Sequence, residues 1–162
     1  LARQAKIYGE ITGYHTGGSG EHVSQSNQAS IVRCLREALA SAELSPGDVD
    51  YISAHGTATK HGDEVEAKAI ADVFGDGVPV SSLKGYIGHT LGASGALELI
   101  VSLAMMGEGV IYPTLNLDRV DEACRGIHHV RKPLRRDVKT VMKNCFAFGG
   151  INAALVCRRP ED

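Results

Sequence analysis

The alternation of its apolar segments constrains this chain most. Short runs rich in β-forming residues at 6–14, 49–54 and 79–83 are separated by stretches with helical spacing. Two further strand-like runs, 139–146 and 153–158, close the sequence and are joined by a Gly149-Gly150 turn. The predicted order is β-α-β-α-β-α-β-β. That alternation indicates an α/β fold, a layered α-β-α arrangement around a mixed sheet. At 162 residues the chain suits one domain, residues 1–162, with a sizeable core.

Each predicted helix has its own signature. Over 27–43, Ile31, Leu35, Ala38, Leu39 and Ala42 form one apolar stripe, and Ser45-Pro46-Gly47-Asp48 breaks it. Asp63 is placed to cap a second helix, with Glu66 three positions on as in a capping box. Val65, Ile70, Val73 and Phe74 supply its buried side, and Gly75 to Gly77 stop it. The third helix, 92–106, is apolar nearly all round, which predicts a central helix covered on every side. The stretch 112–136 reads as a long loop of functional or interfacial character.

Charge and cysteine content exclude several functions. Seventeen Lys+Arg against nineteen Asp+Glu leave a net charge of −2, without the basic excess of a nucleic-acid binder. The one basic run, Arg131 to Arg136, reads as a solvated loop. Cys34, Cys124, Cys145 and Cys157 are widely spaced and contain no CxxC pair, which argues against a metal site and for reduced thiols in the cytoplasm. No N-terminal signal is present, and the apolar stretch 93–106 contains Glu98 and is short for a bilayer span.

Four segments carry residues suited to chemistry. In Ala54-His55-Gly56-Thr57-Ala58-Thr59, His55 directly follows a buried strand, and ligands bind at the carboxyl ends of strands in open α/β sheets. A core histidine beside a turn fits the same pattern. In the glycine-rich segment from Ser82 to Gly95, Lys84 and His89 lie between a strand and the apolar helix. The positive end of that helix favours a neutral His89 imidazole, which donates well to a developing oxyanion. The segment is not a P-loop, because its lysine precedes the glycines. Glu98 is the single carboxylate within the apolar helix. Buried alone it would cost several kcal/mol, so it needs a partner such as Lys84, or a route to solvent at the helix edge. The last segment, Asn144 to Asn152, places Phe146 and Phe148 ahead of two glycines. It reads either as a mobile loop with a bulky gate or as a turn with core phenylalanines.

Together, HGTAT with Asp63 and Glu66, SLKGYIGHTLGASGA and NCFAFGGINA resemble, in this order, the motifs of the β-ketoacyl-acyl carrier protein synthases. The resemblance runs from about residue 5 to 157 and implies the C-terminal half of a thiolase-like fold. It implies a decarboxylative Claisen condensation of malonyl-acyl carrier protein with an acyl thioester, in fatty acid or polyketide synthesis. By motif, His55 and His89 would stabilise the enolate oxygen, and Lys84 would organise the site with Glu98 as its partner. Thr57 and Thr59 would contact the phosphopantetheine arm. Phe146 and Phe148 would line the acyl path, Phe148 as the gate. The implied partners are acyl carrier protein, an N-terminal ketosynthase half, and a second subunit in a homodimer or heterodimer. No metal or resident cofactor is implied.

The departures matter as much. The family's nucleophilic cysteine lies in an N-terminal half, and none of the four cysteines here has that context. The sequence thus reads as a piece of a larger enzyme, expected to be inactive alone: a truncated product, a proteolytic fragment or one part of a split gene. Ser53 stands where the family often has asparagine, and the loop 17–27 looks short. Two alternatives remain. A thiolase-like acyltransferase would share GHTLGASGA, but Phe146-Ala147-Phe148 stands where a thiolase has Cys-x-Gly. A non-catalytic partner resembling a chain-length factor is weakened by the joint presence of His55, Lys84 and His89.

Overall fold

The computed structural model describes residues 3–20 and 27–160. Its main sheet has six strands in the order β1-β8-β7-β2-β3-β5. These are β1 (Glu10–Gly18), β2 (Tyr51–Ser53), β3 (Pro79–Ser81), β5 (His128–His129), β7 (Thr140–Ala147) and β8 (Ile151–Arg158). A two-stranded ribbon pairs β4 (Val110–Ile111) with β6 (Leu134–Arg135). β7, β2, β3 and β5 run parallel, whereas β8 is antiparallel to both β7 and β1. The sheet is therefore mixed, as the alternation implied.

Helices cover both faces. α1 (Gln28–Ser41) starts at Asn27, whose side chain accepts the Ser30 N–H. It packs with α2 (Lys60–Phe74) on one face, where Ile31, Leu35 and Ile70 meet Ile52, Met142 and Val156. A second cluster on the other face joins Tyr51 and Val141 to Met105 and Met106 of α4 (Ser94–Glu108). Neighbouring strand residues thus feed opposite layers, as the two-residue period of a strand demands.

Three expectations shift. The first strand lies at Glu10–Gly18 rather than 6–14, because its register against β8 runs on to Gly18↔Ile151. Residues 21–26 of the loop 17–27 lie outside the described residues. Helix α2 begins at Lys60, so Asp63 sits in its first turn rather than capping it, and Glu66 turns inward. α4 is not covered on every side. Ser94, Glu98, Ser102 and Met105 face inward, while Leu97 and Ile100 are exposed, Ile100 at 62%. Over Leu91–Glu108, 18 residues with mean hydropathy 1.3, the chain is long and apolar enough to cross a membrane by composition. In the fold this segment buries Glu98 and Ser102 instead.

Candidate active site

Three parallel neighbours, β7, β2 and β3, send their carboxyl ends to one edge of the sheet. The loop after β2 carries His55, the short helix α3 (Lys84–Ile87) after β3 begins with Lys84, and the end of β7 carries Phe146. The parallel register thus brings segments about 30 and 90 residues apart to one place.

The His55 loop is built by α2. Both Glu66 carboxylate oxygens accept main-chain N–H bonds, from His55 and from Gly56, each at 2.8 Å. Gly56 has φ of +39°, and a Cβ there would lie 2.7 Å from Ser82 Cβ, so this turn requires glycine. Ser82 Oγ donates to the Gly56 carbonyl at 2.7 Å. Burial pushes the Glu66 carboxyl up in pKa, against the pull of those two N–H groups. Asp63 is also raised by burial, opposed by main-chain hydrogen bonds from Ala58, Thr57 and Thr59.

His55 and His89 face each other edge to face, with ring centroids 5.4 Å apart. The buried Phe146 ring lies 5.8 Å from His55 on another side. His89 is exposed, and its Nδ1 accepts the Leu91 N–H at 3.2 Å. That bond needs an unprotonated Nδ1, so a neutral His89 carries its proton on Nε2 and donates from there. His55 is half-buried, and its Nδ1 has no hydrogen-bond partner among the described residues. Burial first, then the Lys84, Lys143 and His89 charges, lower its pKa to about 3. His55 is therefore a neutral imidazole across the physiological range.

Beneath the histidines lies a buried charge cluster. Lys84 Nζ donates to Glu98 Oε1 at 2.7 Å and to the His55 carbonyl at 2.5 Å. Ser94 Oγ also donates to Glu98 Oε1, at 2.6 Å. Lys143 Nζ lies 2.5 Å from Glu98 Oε2. Burial lowers the Lys84 ammonium's pKa, repulsion from Lys143 adds to this, and Glu98 opposes it. Burial alone would raise Glu98, but the two ammoniums outweigh it and hold the carboxyl below its usual range.

The structure thus joins His55, His89, Lys84, Glu98 and Phe146. Thr57 and Thr59 lie at the outer rim, their hydroxyls 2.9 Å apart. Phe148 is separate: it stands 76% exposed on the turn between β7 and β8, where Gly149 has φ of +80°. Sequence reasoning missed Lys143 and misjudged Glu66. The available signal was a lysine between Met142 and Asn144 in a strand buried on both faces. An open apolar cleft of about 290 Å³, lined by Leu83, Tyr86, Ile87, Val101 and Tyr112, includes neither histidine. The polar cluster, not this apolar cleft, marks the site.

The model of the β-ketoacyl synthase C-terminal domain matches residues 8–118. The chain belongs to this family. It is 41% identical to 3-oxoacyl-[acyl-carrier-protein] synthase 1 of Escherichia coli (strain K12), over all of this chain and 39% of that protein. A β-ketoacyl synthase structure from Burkholderia phymatum superposes with a TM-score of 0.94 and 43% identity, covering 99% of this chain and 40% of that one. The ishigamide ketosynthase/chain length factor gives a TM-score of 0.94 at 34% identity, again over 99% of this chain and 40% of its own. The chain therefore spans about two fifths of the length of the relatives it matches, and it has the α/β architecture of the ketosynthases.

Proposed function

We propose that this chain is the malonyl-activating part of a 3-oxoacyl-acyl carrier protein synthase. In the reaction, the bond between the malonyl α-carbon and its carboxylate breaks, and carbon dioxide leaves. The electron pair stays as an enolate whose oxygen takes hydrogen bonds from His55 and His89. The α-carbon then attacks an acyl thioester, and the thiolate of a cysteine outside this chain departs. Two preorganised donors on a developing oxyanion are each worth a factor of roughly 10²–10³ in rate. The observation that carries the reading is the pairing of His55 with His89 above the Lys84–Glu98 ion pair.

In this reading Lys84 and Glu98 hold the His55 backbone in place. Thr57 and Thr59, at the rim, meet the phosphopantetheine arm of acyl carrier protein. Phe146 buttresses His55, and exposed Phe148 gates the acyl path. No resident cofactor is required. The partners are acyl carrier protein, a cysteine-bearing ketosynthase half and a second subunit, in a cytoplasmic fatty acid or polyketide system. Retention of the whole His55, Lys84, His89 set favours a catalytic role over a partner-subunit role. The test is His89→Ala in the full-length protein. Malonyl-carrier decarboxylation is expected to fall by about 10²-fold or more, with acyl transfer to the cysteine largely kept. Equal loss of both steps refutes the assignment.

A further inference from the structure

Lys143 is the residue of the site that neither motif nor spacing singled out. It sits on β7 opposite Ser53 of β2, and its side chain is 1% exposed. Lysine is almost never fully buried without partners. Here its Nζ lies 2.5 Å from the Asn144 carbonyl, 3.2 Å from that of Ala54 and 3.4 Å from that of Ser53. The fourth neighbour is Glu98 Oε2 at 2.5 Å. Three main-chain carbonyls and one carboxylate thus enclose a single positive charge, at the carboxyl end of β2 and beside the middle of β7.

That cage connects directly to the histidines. Glu98 uses its other oxygen for Lys84, and Lys84 in turn holds the His55 carbonyl. We infer that Lys143 is a positioning residue: its ammonium acts as a tethered monovalent cation that fixes Glu98 and, through Glu98 and Lys84, sets the position and charge state of His55. The catalytic part of this inference rests on the condensing activity proposed above. The geometry does not.

The charge around His55 supports it. Cations face it from β7 (Lys143) and α3 (Lys84), and His89 from the loop before α4. Carboxylates face it from α4 (Glu98) and α2 (Glu66). Two ammoniums against two carboxylates leave the cluster neutral. An uncharged side chain at 143 would leave it net negative and raise the pH at which His55 takes up a proton. Replacing buried ionic groups by apolar ones of similar volume often preserves the fold, so the charge itself can be tested.

The experiment uses Lys143→Met and Lys143→Ala in the full-length protein, with His55 followed by NMR of labelled histidine. Lys143→Met is expected to raise the His55 titration by roughly one unit. It should also lower the decarboxylation kcat about tenfold with KM little changed, and shift the acid limb of its pH profile upward. Lys143→Ala opens the carbonyl cage, and ammonium chloride, but not tetramethylammonium chloride, is expected to restore thermal stability in part. The titration and the ammonium effect are read without turnover. A parent enzyme that fails to decarboxylate malonyl carrier would therefore sink the proposed function while leaving these two readouts decisive. An unmoved His55 titration, or equal stability in the two salts, overturns the role of Lys143. So does failure of both variants to fold, which would make the residue structural only.

Discussion

Glu98→Gln is the sharpest single probe of the buried cluster. The glutamine keeps the volume of a fully buried side chain and removes only its charge. Two ammoniums, 7% and 1% exposed, then lose their shared counterion. Breaking a buried pair on one side costs about 3–5 kcal/mol, a large share of a total near 5–15 kcal/mol. A loss of that size lowers Tm by roughly 10 °C in a protein of this length or somewhat longer. The pH dependence follows from the direction of the Glu98 shift. Its folded pKa lies below its unfolded one, so its stabilisation is full above the unfolded value and fades as pH falls through the folded value. The gap between wild type and Glu98→Gln is therefore expected at neutral pH and narrows in strong acid, where both side chains are uncharged. Adding Lys143→Met to Glu98→Gln removes one stranded cation, so the double variant is expected to regain about half of the loss. Urea melts of the four proteins at pH 7 give the cycle. Wild-type stability for Glu98→Gln, or simple additivity with Lys143→Met, would refute the claim that Glu98 is the shared counterion.

Two further outcomes follow from the His55 loop. His55 titrates near 3 in the fold against about 6.5 unfolded, so the unfolded chain binds the extra proton between these values and stability falls as pH drops through that window. The loss reaches about 2 kcal/mol at pH 5. Urea melts of His55→Gln should lack this slope, and parallel slopes in the two proteins would contradict the burial argument. Gly56→Ala forces a Cβ against Ser82 at positive φ, and is expected to cost about 1–3 kcal/mol by urea midpoint; an unchanged midpoint would show that the turn relaxes freely.

The elements most readable in the sequence were those governed by local rules. The Ile31, Leu35, Ala38 and Leu39 stripe places α1 within two residues of its observed span, because a helix face is written at fixed intervals. His55, Lys84 and His89 were legible because each lies in the connection that follows a strand. Lys143 was not, since its burial depends on Glu98 from a helix 45 positions earlier and on carbonyls of β2, about 90 positions away. Glu66 misled for a related reason. Three residues after Asp63 it mimics a capping box, but the helix begins earlier and Glu66 reaches across to the His55 and Gly56 amides. The first strand was displaced because its limits are set by pairing with β8, at the opposite end of the chain.

Helix α4 links these observations. Its inward stripe holds Ser94, Glu98 and Ser102, the polar groups on which the charge cluster depends. Its outward stripe exposes Leu97 and Ile100, and Leu91 just before it is exposed as well. An apolar residue at every turn on both sides hides amphipathicity from a periodicity count, because each side is buried against a different kind of neighbour or none. The consequence is electrostatic as well as structural. The Lys84–Glu98–Lys143 cluster acts strongly on His55 only while water is kept away, since the same charges in high dielectric interact several-fold more weakly. The sheet excludes water from one side of α4. On the other side the body of α4 itself closes the cluster, with Glu98 at 0%, Lys143 at 1% and Lys84 at 7% exposure, so the electrostatics of the histidine pair are set by the inward stripe of this helix.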